Sequence, residues 1–155
     1  MKCKHLLIGM IVLVPFIQCK NNDSTKCFSK EQDYKTIRYI LETLDDVSIS
    51  TEDKMDVWVD DLVHMAPNHT IITDKNSLVQ HIENEKRFGC VDMKHEIIEI
   101  HSYDRIVVMH GKVTGFFYPF NQNITNSFKT KNLFVFRRIK DNSLKIWKVI
   151  FNMDS

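Results

Sequence analysis

The sequence predicts one α+β domain, in which helices come first and a mainly antiparallel sheet follows. Residues 104–153 contain three long segments that are rich in β-branched and aromatic side chains and are separated by turn residues. Residues 29–88 instead carry apolar side chains at helical spacing. A run of helices followed by a run of strands is typical of an α+β fold, because the helices can cover one face of the sheet.

The composition of the 155 residues is that of an ordinary globular protein. Hydrophobic residues make up 43% and charged residues 26%, which is enough apolar material for one core. The formal net charge is +1 at pH 7, and the Lys and Arg residues are spread along the chain. Because phosphate binding needs a concentrated basic face, we predict that nucleic acid is not a partner.

The first 19 residues have the pattern of a targeting segment rather than of part of the fold. Lys2 and Lys4 precede an apolar run over residues 6–17, which is shorter than a membrane-spanning helix. The run leads to Cys19, and the whole pattern resembles a bacterial lipoprotein signal peptide. The resemblance implies cleavage before Cys19, acylation of this cysteine, and anchoring to a membrane of the cell envelope. The alternatives are a plain secretory signal and an N-terminal membrane anchor.

The domain limits follow from this segment. Residues 1–18 are expected to be the signal peptide, 19–27 a polar tether, and 28–155 the folded domain. Export would place the chain where disulfide bonds persist. Cys27 and Cys90 are the cysteines that this scheme leaves without a role. A bridge between them and two separate thiols both stay open, and two separate thiols are favoured because nothing in the sequence sets their distance.

The first helix is predicted to begin at Ser29, because Gln32 three residues later completes a capping box. Its apolar side chains recur at helical spacing and form one stripe that has to be buried. The stripe consists of Tyr34, Ile37, Ile40, Leu41 and Leu44.

A second, short helix is predicted after a cap at Ser50 or Thr51, with Trp58 on its apolar side and Asp61 at its end. A short strand over residues 62–65 follows, and the proline beyond it stops pairing because proline has no N–H to donate.

A third helix is predicted over residues 75–88, with Asp74 among its capping residues. Gly89 stands where a glycine in the left-handed conformation commonly ends a helix.

Side-chain alternation assigns the faces of the strands that follow. In the first of them, Ile98 and Ile100 alternate with Glu99 and His101, so the isoleucines are expected to face the core. In the next strand, the side that carries Val107 is the more apolar one, which favours His110 toward solvent. The opposite orientation, with His110 pointing into the pocket, stays open. The predicted strands are 94–101, 105–117, 128–139 and 144–153.

The order of these elements and two motifs resemble the NTF2-like superfamily, in its SnoaL-like and ketosteroid-isomerase-like branch. The first motif is 57–67, in which an aromatic residue precedes Asp60-Asp61 and a proline follows. The second is the last hairpin, 137–148, with two arginines, an Asp-Asn turn and a Trp-Lys pair. The resemblance covers residues 28–153. It implies a cone, in which a curved sheet wraps around three N-terminal helices and a pocket lies at the open end.

The resemblance also allows the catalytic positions to be compared one by one. In the isomerases the base is an aspartate before the proline of the first motif, where this chain has Ala66. The oxyanion hole uses a tyrosine on the first helix, which Tyr39 matches, and an aspartate in the penultimate strand, where Phe134 stands. Because alanine cannot abstract a proton and phenylalanine cannot donate a hydrogen bond, steroid isomerisation is not expected.

His64 and Asp61 are the candidate acid–base pair, because a histidine beside a carboxylate can act as a general base near neutral pH. The alternative is a strand histidine without a catalytic role, with Asp60 and Asp61 bound to backbone amides or an arginine. A metal site from Asp61, His64 and His69 would match no standard spacing, so neither a metal nor a cofactor is predicted.

The expected pocket is apolar and suits a small apolar ligand. Its predicted wall consists of Trp58, Met65, Phe88, Phe116 and Phe134. We therefore expect an exported lipoprotein whose domain binds a small apolar ligand or a protein partner without catalysis. The alternatives are a small isomerase, cyclase or dehydratase and a structural dimerisation module. The last strand is apolar on both faces, which favours a homodimer through the sheet.

Overall fold

The computed structural model describes residues 29–154 and confirms an α+β domain with a five-stranded sheet. The helices are α1 (Lys30–Asp45), α2 (Thr51–Lys54), which a 3₁₀ turn over Met55–Val57 extends, and α3 (Lys75–Lys86). The strands are β1 (Trp58–Met65), β2 (Gly89–Ser102), β3 (Ile106–Pro119), β4 (Asn126–Arg138) and β5 (Leu144–Met153). The predicted signal peptide, the lipid site at Cys19, and Cys27 lie outside the described residues. None of the described helices is long and apolar enough to cross a bilayer.

The helix starts are set by side-chain caps, as the sequence predicts. The Ser29 side chain accepts a hydrogen bond from the backbone N–H of Gln32 at 3.0 Å. Ser50 caps α2 in the same way, and Asp74 accepts from the N–H of Ser77 at 2.8 Å. These bonds satisfy N–H groups that the first turn of a helix leaves without a partner.

The second helix is shorter than predicted, and β1 is correspondingly longer. The helical turns end at Val57, and Trp58 already pairs with Ile146 of β5. Asp60 and Asp61 therefore lie within a strand instead of ending a helix. The run Val57-Trp58-Val59 is β-branched and aromatic, and it fits a pleated surface better than a helix.

The sheet order is β1-β5-β4-β3-β2, with β1 parallel to β5 and all other neighbours antiparallel. β2 and β3 form a long hairpin, with pairing from Gly89 and Pro119 to Ser102 and Val107. A bulge between Ile97 and Glu99 interrupts this pairing. Bulges bend a strand and increase its twist, and this curvature leaves room between the sheet and the helices.

Gly89 begins β2 and does not end α3 in a left-handed conformation, so that prediction was wrong. Among the described residues no glycine has a positive φ, and α3 ends with Arg87 in right-handed helical geometry. The reason for glycine here is space. A Cβ at this position would collide with the Tyr118 carbonyl oxygen and with the ring of Phe117.

The core lies between the inner face of the sheet and the helices. Val107, Met109 and Val113 of β3 are buried and His110 is exposed, which confirms the predicted orientation of this strand. From α1, the buried apolar side chains are Ile37, Ile40 and Leu41.

A buried ion pair ties α1 to β4. Arg138 donates to both carboxylate oxygens of Asp33 at 2.7 and 2.8 Å, and both side chains are almost completely buried. Arg138 also donates to the backbone oxygen of Asp104 at 3.0 Å. Both of these charge-assisted hydrogen bonds come from Nη2 of Arg138, and they hold the start of the helix against the end of the strand.

Candidate functional site: an apolar cavity with a His–Asp pair

A cavity of about 640 Å³ lies between the helices and the inner face of the sheet. Its volume is within the range of about 300–1,000 Å³ that small-molecule sites occupy. Most of its wall is apolar, with a few titratable groups from α1, α2, β1, β2 and α3. The apolar part includes Leu78, Ile82, Val113, Phe134, Val149 and Phe151.

Two of the five predicted wall residues, Trp58 and Phe134, line this cavity. Met65 does not, because it follows His64 on β1 and so faces the other side of the strand. Phe88 is 70% exposed, because α3 ends before it and it lies in the turn that leads into β2. Phe116 is 47% exposed and lines a shallow concavity on the outer face.

His95 and Asp45 form a pair on the cavity wall that the sequence did not suggest. Asp45 is the last residue of α1, and His95 lies in β2. The Asp45 carboxylate accepts the backbone N–H of His95 at 2.9 Å, and its second oxygen lies 2.5 Å from Nδ1 of the ring. The His95 side chain is only 7% exposed and packs edge-on against Phe134 at 5.6 Å between ring centroids.

This arrangement determines what the His95 ring can do. With Nδ1 bound to a carboxylate, the neutral ring carries its proton on Nδ1 and has a free lone pair on Nε2. No described residue hydrogen-bonds Nε2. A carboxylate on Nδ1 fixes the ring and stabilises the imidazolium that forms when Nε2 takes a proton. The pair therefore has the geometry of an oriented general base.

The bulge in β2 explains why the alternation pattern did not reveal His95. Counting by twos from Ile98 and Ile100 places His95 on the outer face. The bulge between Ile97 and Glu99 shifts the alternation by one residue, so His95 and Ile97 turn inward and Ile98 is 63% exposed. A bulge has no clear signature in this stretch of sequence.

His64 also lines the cavity, at the opposite edge of the sheet from His95. Its pKa is lowered to about 4, first by burial and then by the nearby charges of His81 and His69. His64 is therefore neutral at pH 7. Its Nδ1 is buried, and no described residue hydrogen-bonds it.

Trp58 provides a second buried polar atom on the same wall. Its Nε1 has no acceptor among the described residues. A buried N–H without an acceptor costs about 1–3 kcal/mol. A ligand oxygen or a water molecule in the cavity would remove this cost.

The predicted pair of His64 and Asp61 does not form. The two side chains lie on opposite faces of β1, because the residues are three positions apart along the strand. Asp61 is exposed and binds both terminal nitrogens of Arg137, one of them at 2.9 Å. This hydrogen bonding is the main reason that the pKa of Asp61 is lowered. Asp60 pairs with Lys75 at 3.0 Å, so both acids have structural partners.

Tyr39, the candidate for the oxyanion hole, is 67% exposed on the outer side of α1 and does not line the cavity. The buried side of this helix carries Ile37, Ile40 and Leu41.

Cys90 is exposed and lines the cavity.

Comparison of the sequence with protein-family models gave no match, and no curated protein matches it. Comparison of the fold with solved structures gave several matches. A ketosteroid isomerase-like protein from Erwinia carotovora atroseptica superposes with a TM-score of 0.72 at 16% identity, over 83% of this chain and 99% of that chain. A nuclear transport factor 2 (NTF2-like) superfamily protein from Salmonella enterica serovar Typhimurium gives 0.66 at 10% identity, over 81% and 90%.

A domain of unknown function with a cystatin-like fold from Nostoc punctiforme superposes with a TM-score of 0.68 at 12% identity, over 82% of this chain and 80% of that chain. These similarities show that the described domain has the NTF2-like fold, as the sequence motifs predict. At such low identity they show the fold alone, and the function has to be argued from the site.

Proposed function

We propose that this chain binds a small, largely apolar molecule in the cavity and transfers a proton on it, with His95 as the base and Asp45 as its orienting partner. The observation that carries the proposal is the His95–Asp45 pair, which lies on the wall of an apolar cavity with Nε2 of the ring unpartnered. The reaction class is isomerisation, cyclisation or dehydration of a carbonyl compound.

Each of these reactions begins when a base removes a proton from the carbon next to a carbonyl group. Nε2 of His95 would take this proton, and Asp45 would stabilise the resulting imidazolium. In an isomerisation the same proton returns to another carbon. In a dehydration the hydroxyl group on the neighbouring carbon leaves with a proton as water. The Trp58 N–H, which is buried without an acceptor, is a donor for the oxygen of the bound molecule.

The proposed acid–base pair is His95 with Asp45, whereas the sequence suggested His64 with Asp61. Non-catalytic binding of an apolar ligand is the second candidate, and the size and apolar wall of the cavity favour it equally. In the first candidate function His95 is required for turnover. In the second, His95 only packs against its neighbours.

Binding is tested first, with 1-anilinonaphthalene-8-sulfonate as an amphiphilic fluorescent probe of apolar sites and by native mass spectrometry of molecules that co-purify. The Val113→Phe change fills the cavity from β3 and should reduce probe binding strongly. Val108→Phe is the matched control, because Val108 lies on the other face of the same strand. If both variants bind the probe equally well, the cavity is not the binding site.

Turnover is tested with a panel of apolar β-hydroxy ketones and β,γ-unsaturated ketones, whose products are conjugated enones that absorb in the ultraviolet. His95→Gln should lower kcat by about 10²–10⁴-fold, the usual contribution of a general base. His101→Gln is the control, because His101 is exposed and contacts Glu99. Full activity of His95→Gln would leave binding without catalysis as the function.

We also propose that the domain is exported and anchored through a lipid on Cys19, on the strength of the N-terminal pattern alone. Cells grown with a labelled fatty acid should incorporate it into the wild-type chain and not into Cys19→Ala. Equal labelling of the two chains, or none of either, would contradict the anchor.

A further inference from the structure

Two histidines and a glutamate meet at the edge of the cavity, between α3 and the turn that follows β1. His81 and Glu85 are four residues apart on α3 and so lie on the same side of the helix. His69 approaches them from the turn, with its ring centroid 4.9 Å from that of His81. One ligand atom from each of the three residues lies within 4.8 Å of the others.

The backbone around His69 is held by hydrogen bonds. The N–H of His64 donates to the Ile72 carbonyl at 2.8 Å, and the N–H of Ile72 donates back at 3.1 Å, which closes the base of the turn. Within the turn, Asn68 adopts a left-handed conformation with φ of 61°. The turn therefore presents His69 to α3 from a fixed backbone.

The three side chains do not satisfy one another. His81 Nε2 lies 3.7 Å from the nearest Glu85 oxygen and His69 Nε2 lies 4.0 Å from it, so both distances are longer than a hydrogen bond. None of the three makes a hydrogen bond to another described side chain. Their ligand atoms converge on one small volume and stay available to a shared partner.

His64 gives a second, independent observation that polar atoms near this cluster lack hydrogen-bond partners. Its ring centroid lies 6.0 Å from that of His81, and its buried Nδ1 has no hydrogen-bond partner in the described part of the chain. A buried polar atom without a partner is uncommon in folded proteins, and a ligand or a water molecule bound near His81 would satisfy it.

We propose that His69, His81 and Glu85 bind one divalent transition-metal ion, with Zn²⁺ the best match. Two imidazoles and one carboxylate are a donor set that zinc uses, and they leave a fourth position for water or a ligand. Mg²⁺ and Ca²⁺ prefer oxygen donors and would be disfavoured. Glu85 also lines the cavity, so the ion lies at its edge.

The sequence groups His69 with Asp61 and His64, and it gives no sign that His81 and Glu85 lie beside His69. Asp61 lies on the other face of β1, whereas α3 brings His81 and Glu85 to His69. The proposal does not depend on the acid–base function of His95, because metal binding is measured without substrate.

The test is a titration of the untagged full chain, freed of metal by a chelator, with ZnCl₂ at pH 7.5 in a calorimeter. We expect one Zn²⁺ per chain and a higher melting temperature with zinc than without it. Glu85→Gln and His69→Ala should each weaken zinc binding at least tenfold, because even residues that only support a zinc ligand contribute on the order of 10–100-fold. Both residues are exposed, so these variants are expected to keep the fold, which circular dichroism will check.

His110→Gln is the matched control. His110 and His101 flank Glu99 on the outer face, which gives a second group of two histidines and one glutamate elsewhere on the surface. His110→Gln should bind zinc like the wild type. The proposal is overturned if the wild type binds no zinc, if Glu85→Gln and His69→Ala bind it as tightly as the wild type, or if His110→Gln is the variant that loses it.

Discussion

His64 and His95 lie in strands at opposite edges of one sheet, and their surroundings give the two imidazoles different chemistry. His95 has a carboxylate on one ring nitrogen, which orients it and stabilises its charged form. His64 has no carboxylate partner and lies among apolar and histidine rings. Burial therefore disfavours protonation of His64, and its role at neutral pH is that of a neutral polar group.

The depressed pKa of His64 predicts a loss of stability in mild acid. Its pKa is about 4 in the folded chain and about 6.5 in the unfolded chain, so between these values the unfolded state binds more protons. Stability is fully present above about pH 6.5 and falls as the pH drops toward 4, by at most about 3 kcal/mol. Urea unfolding from pH 4 to 8 with a chelator present will measure this.

The control for this pH prediction is the difference between variants, because other groups titrate in the same window. His64→Gln should flatten the fall in the free energy of unfolding between pH 6.5 and 4. His101→Gln, which changes an exposed histidine, should leave the fall as it is. A pH profile that His64→Gln does not alter would show that the histidine titrates normally.

At the scale of single elements, the ion pair between α1 and β4 is the contact whose loss should cost most. Asp33→Ala leaves the Arg138 guanidinium buried without its carboxylate, and such a change costs about 3–5 kcal/mol. Chemical denaturation of the variant and the wild type gives the difference in the free energy of unfolding.

Glu31→Ala is the matched control for this prediction, because Glu31 lies on the same helix and pairs with Lys35 on the surface. An exposed pair of this kind contributes less than about 1 kcal/mol. The double change Asp33→Leu with Arg138→Met should regain much of the lost stability, because it leaves no charge buried. Equal effects of Asp33→Ala and Glu31→Ala would contradict the buried pair.

The start of β2 gives a second prediction at this scale. Gly89→Ala and Gly89→Asn should both destabilise the fold by about 1–3 kcal/mol, because any Cβ meets the Tyr118 carbonyl. A left-handed helix end would instead tolerate asparagine. Asn142→Gly is the control, since Asn142 has a φ of 66° in the last hairpin and glycine fits there. Thermal melting distinguishes these cases, and a stable Gly89→Asn variant would refute the strand assignment.

At the scale of the whole molecule, the outer face of the sheet carries exposed aromatic rings. Phe116 and Tyr118 lie with ring centroids 6.3 Å apart, and Phe120 is exposed beyond them. We predict that this face pairs two chains, so that light scattering at tens of micromolar gives twice the chain mass. The double change Phe116→Glu with Tyr118→Glu should give single chains, whereas Tyr39→Glu on α1 should not. A mass of one chain for the wild type would rule the homodimer out.

The fold was predictable to the extent that local patterns determine it. Capping residues at Ser29, Ser50 and Asp74 marked the helix starts, and the composition of residues 104–153 marked the long strands. The short segment between α2 and α3 was less predictable. Eight residues of this segment, Trp58–Met65, become a strand because β5 offers a parallel edge to pair with, and that edge comes from the far end of the chain.

The sequence by itself predicted the α+β class and favoured the apolar face of β3, because these follow from side-chain type and from spacing within one element. The cavity-wall residues Trp58 and Phe134 were predicted from the resemblance that the motifs carry. Only the tertiary structure decided which titratable groups meet. The bulge in β2 turns His95 inward to Asp45, fifty residues earlier in the chain. The geometry of β1 separates His64 from Asp61. Such pairings depend on strand register and on sheet curvature, which arise only when distant segments pack together. The spacing of side chains within one element therefore does not predict these pairings.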